Sequence, residues 1–332
     1  MSTKNPSIHH WDLQQEILEK IHANGGWINC HAHIDRAYTI TQENFALSNK
    51  MRHEKWKLND ELRRNSTVEQ IYDRMARAIE NLIVQGVTAL GTFIDVDYNV
   101  KDKAINAAIK IKEKYEDQIS LKFLNQSSYG LLDESKETVK WFKEALPFVD
   151  IIGGLLKADK GREEEHLDIL FSAAKETGKM VHIHLDELNI PQEKETELVV
   201  KKIKEHGIQG KVVGIHGISI NCHPLSYREK LYRDMADVGM MYIACPVSWL
   251  NSRRNEELAP IHNPITPFDE MYEHGIPVGI GSDNIADIWM PFNNADMWLD
   301  LRVLLEASRC HDLDALIKVA TSNGRKVLGL SA

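Results

Sequence analysis

His31 and His33 stand two residues apart at the end of a short apolar run, WINCHAH, over residues 27–33. On a strand, residues i and i+2 face the same side, so both imidazoles can enter one cavity and offer nitrogen to a metal. An HxH pair alone is as often a pair of core histidines. Three more residues close other apolar runs: His184 in HIHLDE, His216 in GIHG and Asp283 in GIGSDN. Four histidines and a carboxylate form a donor set suited to Zn²⁺ or Fe²⁺ with room left for water. A bound divalent cation lowers the pKa of water towards neutrality. Asp283 can both ligate the metal and accept the water's proton, and His216 can orient the water. Glu187, three residues beyond His184, can carry a proton if its pKa lies near the working pH. His182 shares a strand face with His184, so periodicity does not choose between them; the spacing to Glu187 favours His184.

Such residues need strand ends to hold them. Apolar runs predict strands over 27–33, 87–95, 121–127, 149–155, 180–185, 211–216, 240–244 and 277–282. Most are continuous rather than alternating, as in parallel strands covered on both faces. Between them, patterns of helical period predict helices over 68–84, 104–115, 134–145, 164–177, 193–206, 227–238, 265–274 and 293–307. Ile71, Met75, Ile79 and Ile83 mark the stripe of the first, with Ser66 or Thr67 as its N-cap. Gly86, Gly178 and Gly275 each precede a strand, where a left-handed helix C-cap is expected. Eight strand–helix units without a composition break predict a (β/α)₈ barrel forming one domain over 1–332, and active sites of such barrels lie at the C-terminal ends of the strands. The polar stretch 34–65 is long for a strand–helix connection and reads as a lid or substrate loop, or as a partly ordered surface insertion.

Composition excludes several functions. The 332 residues carry 40 Lys+Arg against 49 Asp+Glu, a formal net charge of −9, which disfavours broad nucleic-acid or anionic-membrane binding. No apolar window is long enough for a transmembrane helix, and the first residues lack a secretory pattern. Cys30, Cys222, Cys245 and Cys310 form no CxxC pair and read as reduced thiols of a cytoplasmic protein.

Six segments carry a resemblance to a known family: INCHAHIDRA (28–37), GVTALGTFIDVD (86–97), Gln126 at the end of the third strand, HLDE (184–187), GIHG (214–217) and SDNIADIWMPF (282–292). In that order they resemble the amidohydrolase superfamily, in its cytosine deaminase-like branch. The resemblance implies one catalytic metal held by His31, His33, His184 and Asp283, with His216 beside the activated water and Glu187 as proton shuttle. It also implies that Gln126 bonds the polar edge of a small heterocyclic substrate and that Trp289 helps close the pocket. Two positions depart from the branch. Asn284 stands where a second Asp contacts substrate, which exchanges a charge for donors, and Phe93 stands where the branch has His. Both are expected near the substrate and leave cytosine itself in doubt. The small β-sandwich usual in the family is expected to be missing or slight.

Other residues have plainer readings. Gln126 can satisfy rim backbone groups, and Trp289 can anchor a core or lid. Trp249 with Arg253 and Arg254 reads as a solvated loop rather than a substrate wall. Lys157 reads as an ordinary exposed lysine; carboxylated, it would bridge a second metal. Asp35 and Arg36 read as a local pair, Cys222-His223 as loop packing, and His9 and His10 as a terminus. The resulting expectation is metal-dependent hydrolytic deamination of a pyrimidine, triazine, purine or pterin, in a chain that can form homo-oligomers. Cyclic amide or amidine hydrolysis is the close alternative, and a non-catalytic metal- or ligand-binding barrel the distant one.

Overall fold

The computed structural model describes residues 12–50, 52–250 and 265–331. Eight strands run in chain order: β1 Trp27–Ala32, β2 Val87–Asp95, β3 Ser120–Gln126, β4 Ile152–Leu155, β5 Val181–Leu185, β6 Val212–His216, β7 Met241–Ala244 and β8 Val278–Ile280. All named pairings are parallel, in one ladder of β1 to β3 and another of β4 to β8. Single parallel bridges join the two ladders, Leu124 to Ile151 on one side and Ala32 to Asp283 on the other. The fold is a (β/α)₈ barrel. β1, β4, β5, β6, β7 and β8 are buried along their whole length, which is why their sequences are continuous apolar runs.

The helices are α1 Leu13–Ala23, α2 Arg52–Asn65, α3 Val68–Val84, α4 Lys103–Tyr115, α5 Glu137–Ala145, α6 Glu163–Thr177, α7 Glu195–His206, α8 Leu225–Asp237, α9 Pro246–Trp249, α10 Phe268–Glu273, α11 Met297–Ser308, α12 Leu313–Ala320 and α13 Ser322–Val327. Thr67 is the N-cap of α3 and exchanges hydrogen bonds with Gln70, a capping box that satisfies two otherwise orphaned donors. Gly86, Gly178 and Gly275 take φ of 83°, 73° and 71°. Among the described residues every named strand belongs to the barrel, and no helix is long and apolar enough to cross a membrane.

The seam between the first and last strands is built differently from the rest. Asn29 Nδ2 donates to Ser282 Oγ at 2.8 Å, and Ser282 N donates back to Asn29 Oδ1 at 3.2 Å. Asp283 N donates to His31 O at 2.9 Å. A Cβ on Gly281 would lie 2.6 Å from His31 Cβ and 2.9 Å from its backbone N and O, so this close approach excludes any larger residue. The same contacts that close the barrel bring Asp283 beside His31.

Candidate metal centre

Local irregularities of the backbone mark the strand ends at the mouth of the barrel. In β1, Ile28 and Cys30 pack in the same cluster as Phe93, Val213 and Ile215, and the register with β2 shifts between Asn29 and Ala32. Such irregularities re-aim side chains; His31 and His33 meet edge to face, 4.8 Å between centroids. In β6, strict alternation after Ile215 would turn His216 towards the helices. Its left-handed backbone, φ 77°, instead leaves the ring 5.6 Å from that of His184. Asp186 and Asp283 also have positive φ, 51° and 61°. Backbone strain of this kind clusters at functional sites.

His31, His33 and His184 form one group whose ring nitrogens lie within 4.8 Å of one another, and His31, His216 and Asp283 form a second within the same limit. Asp283 Oδ1 lies 3.4 Å from Nε2 of both His31 and His33. His31 Nδ1 and His33 Nδ1 are buried without a hydrogen-bond partner, an uncommon condition for buried polar atoms that fits donors to a cation. His184 Nδ1 lies 3.2 Å from the Gly154 carbonyl; the proton belongs on Nδ1, which leaves the Nε2 lone pair available to a cation.

The protonation states suit a metal. Burial, with the neighbouring positive groups, holds His33 and His184 well below the ordinary imidazole range, so both are neutral. Burial alone would raise the Asp283 carboxyl, but its contacts with His31, His216 and His33 more than reverse this and hold it well below the usual carboxylate range. Neutral imidazoles and an ionised carboxylate are what a divalent cation binds. His182 does not join them: its Nε2 lies 2.9 Å from the Val327 carbonyl, and burial lowers its pKa to about 3.

The other predicted site residues separate into distinct groups. Gln126 ends β3, is 4% exposed, and its Oε1 has no hydrogen-bond partner. Phe93 packs its ring 4.7 Å from His184 and 5.2 Å from His31 and so seats both imidazoles. Asn284 donates from Nδ2 to Asp287, whose Oδ1 in turn accepts from Trp289 N at 2.8 Å. Trp289 meets Trp56 of α2 at 5.0 Å. Glu187 pairs with Lys157, which follows β4.

Several plainer expectations are corrected. Lys157 is not an ordinary exposed lysine but half-buried against the Glu187 carboxylate. Trp249 lies buried on α9 rather than in a solvated loop; Arg253, Arg254, His9 and His10 lie outside the described residues. Asp35 and Arg36 each reach across to another element. Asp35 Oδ2 accepts from Asp95 N at 2.7 Å, while Arg36 lies 3.4 Å from Asp95 and 3.7 Å from Asp287. Cys222 contacts Asn189, and His223 Nε2 lies 3.1 Å from the Glu193 carbonyl, which is loop packing. The four cysteines are free.

Sequence reasoning missed Arg63, on α2 within the 34–65 segment. Its Nε lies 2.9 Å from Asp95 Oδ2, its second guanidinium nitrogen contacts Asp97, and its first lies 3.2 Å from Asp60. These charges are nearly all buried, and Asp35 beside them has a pKa raised to about 7 by burial and by Asp95. Removing one member of a buried ionic group leaves the rest uncompensated and costs about 3–5 kcal/mol. Arg63→Ala is therefore expected to lower stability by about that amount in chemical denaturation, whereas a surface change such as Lys110→Ala should cost little.

The loop that bears Glu187 is braced by a reciprocal cap. Glu195 N donates to Asp186 Oδ1 at 2.8 Å, and Asp186 N donates to Glu195 Oε2 at 2.7 Å. Burial, then repulsion from Asp186, raises the Glu195 pKa from 4.5 to about 8. A folded-state pKa above the unfolded value means that the native state holds the proton more tightly. The stabilisation is full below pH 4.5 and is lost as pH rises towards 8. Glu195→Gln is expected to flatten the fall in stability across that window, measured by denaturant midpoints at successive pH values.

A parallel barrel with four histidines and a carboxylate gathered at one end of its strands is the frame of a metal-site hydrolase. The chain belongs to the Amidohydrolase family, whose model matches residues 25–332. It is a hydrolase acting on carbon–nitrogen bonds other than peptide bonds. An uncharacterized protein of Haemophilus influenzae is 47% identical over 263 residues, 78% of this chain and 93% of that protein. The N-isopropylammelide isopropyl amidohydrolase of Pseudomonas sp. (strain ADP) is 26% identical over 332 residues, covering 96% of this chain and 79% of that protein. The crystal structure of 5-methylcytosine deaminase from Klebsiella pneumoniae liganded with 5-fluorocytosine superposes with a TM-score of 0.84 at 22% identity, over 92% of this chain and 74% of that one.

Proposed function

We propose that the protein is a metal-dependent deaminase of a small nitrogen heterocycle, replacing an exocyclic amino group with oxygen from water and releasing ammonia. The observation that carries this reading is Glu187 held three residues beyond His184, at the same strand end as the buried donor set. A site that only bound metal needs no proton carrier. His31, His33, His184 and Asp283 would hold one divalent ion, Zn²⁺ or Fe²⁺, both of which accept these ligands. When bound, such an ion polarises substrate and makes water acidic enough to act near neutral pH. Asp283, ionised in the resting protein, takes the proton of the attacking water, and His216 orients that water and steadies the tetrahedral oxygen. A carboxylate oxygen of Glu187 moves a proton to the ring nitrogen and onward to the departing amine.

Gln126, with its unsatisfied buried oxygen, faces the polar edge of the ring. Asn284 contributes from its turn, fixed by Asp287, and Phe93 acts through the ligand rings. Trp289 closes the pocket with Trp56, so residues 34–65 serve as a lid on a single catalytic barrel. The relatives' names point the same way: one acts on N-isopropylammelide, and the structural neighbour is a 5-methylcytosine deaminase bound to 5-fluorocytosine. Four free thiols suit a reducing cytoplasm. The test is an ammonia-release screen of aminated pyrimidines, triazines, purines and pterins with Zn- and Fe-loaded protein. Ammonia release with the ring intact supports deamination; ring opening without it transfers the reading to cyclic amide hydrolysis.

A further inference from the structure

Lys157 lies in a short turn, Leu156–Asp159, directly after β4, at the end of the barrel that carries the metal ligands. The far end of this turn is anchored: Asp159 accepts from Leu131 N at 2.6 Å and Leu132 N at 3.2 Å, and lies 2.6 Å from His166 Nδ1. Lys157 therefore projects from a fixed base. It pairs with Glu187 and also lines a cavity of about 250 Å³ together with Trp56, Ser128, Leu155 and Ala158. The remaining lining consists of an indole, two aliphatic side chains and one hydroxyl. This mostly apolar lining with one indole suits the face of a small ring, and the cavity is smaller than the ~300–1,000 Å³ of drug-sized sites.

An ammonium has three donors and a carboxylate only acceptors. Lys157 and Glu187, held in contact, thus present a donor and an acceptor side by side. The complementary ligand edge is a ring nitrogen next to a ring carbonyl: the oxygen accepts from Lys157 while the nitrogen exchanges its proton with Glu187. The nearby acids do not compete for this role, because Glu193 is engaged by Leu188 N at 2.7 Å and Ser219 Oγ at 2.8 Å, and Glu195 by Asp186 N.

We propose that Lys157 is a specificity-determining residue that, held against Glu187, donates to a ring oxygen adjacent to the ring nitrogen served by Glu187. This rests on the deaminase reading for the role of Glu187, yet it is tested by binding alone. Matched ring pairs without an amino group give a deaminase nothing to release, and ring integrity is checked by absorbance: uracil against pyrimidin-4-one, 5-azauracil against 1,3,5-triazin-2-one, and lumazine against pteridin-2-one. Metal-loaded wild-type protein is expected to bind the member with the extra oxygen about 10- to 100-fold more tightly in at least one pair, the range of a hydrogen bond to a charged group.

Lys157→Met and Lys157→Gln should bring that ratio to within about threefold of unity, and Lys157→Arg should restore part of it. Metal content and melting curves identify folded variants, and two neutral substitutions are made so that one misfolding leaves the other to read. A wild-type ratio near unity in every pair overturns the proposal, as does a ratio preserved in a folded neutral variant. The two readings fail separately: absent ammonia release with an intact ratio removes only the deaminase, and turnover with a flat ratio removes only Lys157.

Discussion

Glu187→Gln will leave the metal content unchanged and lower ammonia release by about 10²–10⁴-fold, the usual contribution of a positioned proton carrier. The substitution keeps the shape of the side chain and an oxygen that can still accept from Lys157, its partner here. It removes the ability to take up and release a proton. The grouped histidine rings and Asp283, the candidate donors, lie on other residues, so metal content has no reason to change. Elemental analysis alongside kcat and KM separates the possibilities. Loss carried in kcat with metal retained assigns Glu187 to proton transfer, and turnover within about tenfold of wild type ends that assignment.

His184→Ala will abolish stoichiometric metal binding and take turnover below detection. The imidazole stands 4.9 Å from that of His31 and 5.6 Å from that of His33, and its ring is oriented by the Gly154 carbonyl. Alanine removes one ligand and opens a buried hole in its place. A metal that binds only the native state stabilises it by about 2.7 kcal/mol at a hundredfold excess over its Kd. Wild-type protein should therefore melt at a higher temperature with Zn²⁺ or Fe²⁺ than after chelation, and this difference should vanish in the variant. One equivalent of metal retained by His184→Ala, with turnover, would sink the ligand set.

Much of the architecture was legible because the barrel strands are covered on both faces. The eight apolar runs matched the eight strands within three residues at every end, and α3 matched at both ends. α2 was not legible. Its sequence, RHEKWKLNDELRRN, has too few apolar residues to show a helical stripe; Trp56 meeting Trp289 and Arg63 meeting Asp95 and Asp97 anchor it instead. Those partners are distant in sequence, and no local pattern announces them.

At the site, the HxH pair and the strand-end His and Asp were readable as residue types at meaningful positions. What brings His216 inward is a backbone angle, φ 77°, which alternation would have placed on the other face. Lys157 carried no signal beyond its place after the fourth strand, because a single lysine in a loop looks the same whether it meets water or a carboxylate. Asp35 and Arg36 misled for a related reason. Adjacent opposite charges suggest a local pair, whereas burial drove each to the stronger partners offered by β2 and the β8 turn.

The seam between β1 and β8 also fixes when the centre can exist. Asn29 and Ser282, which pair across it, are 253 residues apart in the chain. At ~5–20 residues per second of synthesis, the edge of β1 waits roughly 13 to 50 s for its last neighbour. Until Asp283 has been made, His31 and His33 cannot share it as a neighbour. A nascent chain therefore carries the histidines without the carboxylate, and metal capture by the proposed full set would report a completed barrel.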